Sequence, residues 1–173
     1  MRHILSINEF LNESKQVGVL YHFTTPRGLR GILEYDEMRS ANNFISFTRN
    51  FNLEQWATTH GAYCRISMDG DKLSSRYRLS PYLYDPADDE VSGSGEHLDV
   101  ETRRKKYGDE REEKVLTPII DKIHKYIIQV DIIKYPMKSN EKTTIQKVED
   151  AHPDVNFNYV EHFRPVKHVL VTA

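Results

Sequence analysis

Cysteine is nearly absent: Cys64 stands alone among 173 residues. An intrachain disulfide is therefore excluded, and a reducing compartment is the simplest setting. No apolar run approaches the ~18 residues that a membrane-crossing helix needs, so no membrane partner is expected. The opening stretch "MRHILSINEFLNESK" has neither a continuous apolar segment nor a small-residue cleavage site, and it does not read as a secretory signal. The expected location is the cytoplasm. Charge of one sign is lacking as well. A formal net charge of −2, with 29% of residues charged, excludes a global polyanion binder but leaves room for a local basic patch.

Two chemistries lack their residues. "GLRG" (28–31) falls short of G-x-G-x-x-G spacing and lies inside a predicted helix, so a Rossmann site is excluded. The eight histidines are scattered without a His-x-x-x-His pair, and "DGD" (69–71) lacks the remaining calcium-loop ligands, so no metal site is expected.

What is present reads as one domain over 1–173, large enough to hide roughly 70% of its surface on folding. Ser6 and Glu9 form a capping box for an N-terminal helix within 1–15. "VGVLYHF" (17–23) reads as a strand. Thr25 then offers an N-cap, Pro26 a first helical position, and Leu29, Ile32 and Leu33 an apolar stripe. Further strands are expected at 44–47, at 62–68 ending in the turn "DGD", and at 113–116, 126–133 and 167–172, and helices at 52–57 and 140–151. The strand at 126–133 is apolar on both faces and should be central. The pattern predicts an α+β domain, with mixed or antiparallel sheets forming a cleft and short helices at its flanks. Residues 84–101 hold seven acids and no Lys or Arg, and "RRKK" follows. The stretch 84–108 reads as a mobile loop, with a lid beside a site as the functional alternative.

Three strands carry polar groups where a plain core strand would not. They are Tyr21-His22-Phe23-Thr24, Ser46-Phe47-Thr48-Arg49, and Glu110, Glu112 and Glu113 entering "EKVL". Taken singly, each has an ordinary explanation as a structural histidine, β-forming hydroxyls or a solvated acidic turn. In this order they resemble the ADP-ribosyltransferase superfamily. That family has a first strand with His or Arg, a second with Tyr or Ser-Thr-Ser, and a later strand opening on Glu. "LYHFT", "FISFTRN" and "EREEKVLTP" are similar to the three motifs, and "PRGLRGIL" is like the segment following the first in DarT-type enzymes, which modify DNA bases. Ser-Phe-Thr replaces Ser-Thr-Ser here, and Lys114 intrudes before "VL". The catalytic carboxylate is thus Glu113 or Glu112, with Glu113 preferred, because a one-residue shift reverses facing.

The resemblance implies NAD as substrate and transfer of ADP-ribose to a macromolecule, DNA or protein, as in a toxin or phage-defence factor. It implies that Glu113 stabilises the oxocarbenium-like sugar. His22, flanked by Tyr21 and Thr24, would hold the ribose or amide. Ser46 and Thr48 would fix a ribose hydroxyl and the carboxylate, and Arg49 the pyrophosphate or the acceptor. In "DGDKLSSRYRLSPYLY", Lys72, Arg76, Arg78 and Tyr82 interleave basic and aromatic groups, as a nucleic-acid surface does. Two other readings share these residues: excision of a modified base from DNA without NAD, and a non-catalytic domain that binds a nucleotide or a protein.

Overall fold

The computed structural model describes residues 17–40, 43–81, 112–133 and 137–166. The expected N-terminal helix, the loop 84–108, Tyr82 and the strand 167–172 lie outside the described residues.

A seven-stranded sheet runs in the order β5-β6-β3-β1-β4-β8-β9. Its strands are β1 (Val19–Thr24), β3 (Ile45–Thr48), β4 (Cys64–Asp69), β5 (Leu79–Pro81), β6 (Glu112–Val115), β8 (Ile127–Ile133) and β9 (Phe157–Val160). All pairings are antiparallel except β8 with β9. A two-stranded ribbon joins β2 (Glu37–Arg39) to β7 (Ile119–Asp121). The helices are α1 (Pro26–Tyr35), α2 (Glu54–Thr59), α3 (Gly70–Arg76) and α4 (Ser139–Ala151). The chain is therefore α+β with a mixed, mostly antiparallel sheet. No helix among the described residues is long and apolar enough to cross a membrane.

The sheet has one apolar and one polar buried face, because successive side chains on a strand alternate. Leu20, Ile66, Met68, Val130 and Ile132 are fully buried together with Leu29 of α1 and Ile145 of α4. Burying each such side chain stabilises the fold by about 1.5–3 kcal/mol. On the other face Arg65, Ser67 and Asp131 are buried. Strand β8, expected to be central, lies one strand in from β9; the middle position belongs to β1.

Helix α1 starts as its sequence dictates. The Thr25 side chain accepts from the Gly28 amide at 3.0 Å, and Pro26 occupies the first turn. It ends without a glycine: Asp36 takes the left-handed conformation at φ 52°. Its carboxylate accepts from the His124 backbone N–H at 3.0 Å and meets the His124 ring, contacts that offset the backbone cost. Helix α3 occupies the stretch read as a "DGD" turn. Asp69 caps it by accepting from the Lys72 amide at 3.0 Å. A side chain at Gly70 would strike the Gly18 carbonyl and Val17, so the residue at the helix start must be glycine.

Candidate active site

Strand β3 lies between β1 and β6, which brings the three polar stretches together. Tyr21 pairs with Thr48 in register, and Thr48 with Glu112. One step along, Phe47 pairs with Glu113, and the His22 ring meets the Phe47 ring at 5.7 Å between centroids. His22, Phe47 and Glu113 thus form one row on one face. Two strand spacings, about 10 Å, separate the outer two.

Glu113 is buried, and its Oε1 accepts from Arg49 Nε at 2.7 Å. Arg49 is itself 42% exposed, so the pair bridges the interior and solvent. The turn carrying Arg49 is held locally: Asn50 N–H donates to Thr48 Oγ1 and Asn52 N–H to Asn50 Oδ1, both at 2.9 Å.

Between β1 and β3 the described ladder consists of the single pair Tyr21 and Thr48. Beyond it the Ser46 carbonyl meets His22 Nδ1 at 3.1 Å. A carbonyl can only accept, so Nδ1 carries the hydrogen, and in the neutral ring Nε2 is a bare acceptor. Desolvation pushes the His22 pKa below its usual value, and the Ser46 hydrogen bond partly opposes this. The neutral ring is accordingly favoured.

His22 and Thr24 line a cavity of about 580 Å³ with Gly28, Gly31, Ile32 and Tyr35 of α1 and Glu37 and Arg39 of β2. A Cβ at Gly31 would meet open space, whereas one at Gly28 would collide with Thr24 Oγ1. Tyr35, 74% exposed, forms an aromatic flank, and Arg39 Nε donates to Glu37 Oε1 at 2.5 Å. The volume suits a nucleotide-sized ligand.

The remaining candidates sit elsewhere. Ser46 and Thr48 share the face opposite Glu113. Thr48 is buried and Tyr21 OH accepts from Val166 N–H at 3.2 Å, beneath the Arg65 guanidinium at 4.7 Å. Glu112 contributes its backbone to β6 opposite Thr48; its side chain lies outside what is described. Lys72 pairs with Asp69 at 3.3 Å. Arg76 stacks on Tyr77 and pairs with Asp121 at 2.9 Å. Because Asp121 is the register partner of Glu37, Arg76 reaches the ribbon that walls the cavity. Arg78 is exposed, just before β5. Among the described residues, no three His, Cys, Asp or Glu side chains gather as a metal site. Burial pushes the Cys64 thiol up to about 12, which makes it a poor nucleophile.

No family model matches the sequence, and no curated protein does. Among solved structures, the chain is similar to DarT of Thermus sp. 2.9 in complex with carba-NAD+. The two are 10% identical, with a TM-score of 0.48, over 83% of this chain and 95% of that one.

Two features of the site escape a reading of strands alone. Phe47, not either hydroxyl beside it, stands between the imidazole and the carboxylate. Gly28, Gly31, Ile32 and Tyr35 line the cavity, although Ile32 belongs to the apolar stripe of this helix. The i, i+3, i+4, i+7 spacing of these four residues is the signal that marks them as one helix face.

Proposed function

We propose that the chain cleaves the nicotinamide–ribose bond of NAD and transfers ADP-ribose to a macromolecular acceptor, DNA or protein. One observation carries this reading: His22, which lines the nucleotide-sized cavity, shares one row of the sheet with Glu113, 91 residues further along the chain. The order and residue types of the three motifs support it independently.

In the reaction, the C1′–N bond breaks and its electron pair departs with nicotinamide. Positive charge then spreads over C1′ and the ring oxygen. Glu113, fixed in a largely dry setting, stabilises that charge without reorganising. His22 Nε2 accepts from a ribose hydroxyl or the carboxamide, with Thr24 beside it. One base of the dinucleotide rests against Gly31, Ile32 and Tyr35. Phe47 supplies an apolar wall that keeps water from the cationic sugar, and Arg49 serves the pyrophosphate or the acceptor. The acceptor nucleophile bonds to C1′ and gives up its proton to water. Holding the partners in place accounts for the rest of the acceleration.

The test is incubation with labelled NAD, with DNA, and with both, followed by mass spectrometry of small molecules and polymer. Nicotinamide release that falls at least a hundredfold in Glu113→Gln is the expected result. Abasic sites formed in DNA without NAD, or release untouched by Glu113→Gln, overturn the reading.

A further inference from the structure

Arg65 is almost fully buried on β4, on the polar face of the sheet. Its Nε and Nη2 donate to Asp131 Oδ2 at 3.2 and 2.6 Å. Nη2 also donates to the Arg164 carbonyl at 2.6 Å, and Nη1 to the Phe51 carbonyl at 3.1 Å. The guanidinium lies over the rings of Tyr21 and Phe163, at 4.7 and 4.8 Å. Asp131 Oδ1 is occupied separately, by Gln129 and Asn158 at 2.7 and 2.8 Å.

A buried ion pair is a weak device for stability, since apolar residues of similar volume often serve as well. What a guanidinium adds is a rigid fork of five donors that can tie separate stretches of backbone at once. Here it ties three: β8 through Asp131, the segment at Arg164, and Phe51. Phe51 stands two residues from Arg49, and the two other bonds described above for this turn are local. Arg65 is therefore a long-range tie on the turn that presents Arg49 to Glu113.

We propose that Arg65 is a positioning residue that fixes the turn Arg49–Asn52, and thereby the geometry of the Arg49–Glu113 pair. It touches neither the row nor the cavity. Its catalytic consequence rests on the transferase reading above; its effect on the turn does not. The same node joins the turn to residues 163–166, where Phe163 N–H donates to Glu54 Oε2 at 3.1 Å. The placement of Arg49 is thus coupled to how this segment lies on the sheet.

Arg65→Lys keeps the positive charge beside Asp131 but gives up the fork. Asp131→Asn removes a charge while leaving an acceptor for the guanidinium. In Arg65→Lys we expect the amides of Asn50 and Asn52 to exchange hydrogen at least tenfold faster. We also expect kcat for nicotinamide release to drop at least tenfold, with KM within about twofold, since small misplacement costs rate more than binding. Asp131→Asn should lower the thermal midpoint yet keep both the slow exchange and kcat. Native exchange at Asn50 and Asn52 in folded Arg65→Lys overturns the inference, as does loss of kcat that tracks the midpoint equally in both variants. If Arg65→Lys does not fold, the unaltered chain decides. Its Asn50 and Asn52 amides must exchange at least a hundredfold slower than an unstructured chain, and faster exchange overturns the proposal. An unaltered chain that releases no nicotinamide defeats the transferase reading alone, and the exchange rates still test Arg65.

Discussion

His22 titrates under two opposing influences, desolvation that lowers its pKa and the Ser46 carbonyl that raises it, with the first the larger. The unfolded chain takes up a proton near pH 6.5, while the folded chain does so only at lower pH. Between those two values the unfolded state binds more protons, so stability falls as pH drops through that window and levels off beneath it. Urea unfolding at pH 7.5 and 5.5 should therefore show a loss on acidification that is smaller in His22→Gln; an equal loss in both would rule this out. At this scale the sequence is informative about identity and weak about facing. Glu113 and His22 stand out as polar residues in strands, but the residue between them does not. Phe47 reads as ordinary core, and its place in the row depends on pairings with two strands remote in the chain.

Helix α1 shows what local sequence can specify. Thr25 and Pro26 start it, and Leu29 and Leu33 give it a buried face, all through interactions within one turn or two. Its other face carries Gly31, whose missing side chain leaves part of the cavity open. Gly31→Leu should fold at least as stably as the parent, because leucine is the better helix former by roughly 0.5–1 kcal/mol. It should nevertheless abolish dinucleotide binding by filling the space, which calorimetric titration with NAD would read; unchanged affinity would place the ligand elsewhere. The short elements were illegible for a physical reason. Strands β2, β5 and β7 have three residues each, too few for an alternation pattern, and they exist only because a distant strand pairs with them. Helix α3 is hidden because Asp69 reads as a turn residue, when the same carboxylate can cap a helix.

Across the whole molecule, five of the nine described strands, β1, β3, β4, β6 and β8, are legible in the sequence, whereas β9 and the order of the strands are not. Hydrophobic alternation marks a half-buried strand, but adjacency is a matter of tertiary pairing; the run 126–133 reads as central because apolar residues fall on both its faces, yet Gln129 and Asp131 share one of them. The motif order gave no distance between His22 and Glu113; β3 standing between their strands does. A ligand lodged in the cavity binds the folded chain alone, so NAD at one hundred times its Kd should stabilise the chain by about 2.7 kcal/mol. For a chain of this size that raises the unfolding midpoint by about 5–10 °C. Scanning fluorimetry with NAD, ADP-ribose and nicotinamide would measure it, and no shift with millimolar NAD would count against the site.

The lone register pair between Tyr21 and Thr48 makes the middle of the sheet its thinnest seam. The imidazole belongs to one leaf and the carboxylate to the other, and each leaf has a richer ladder of its own. A substitution near that spine can alter the angle between the leaves and leave the packing within each intact. In such a scaffold, the span between the two groups is adjustable from the binding of the book as well as from its pages.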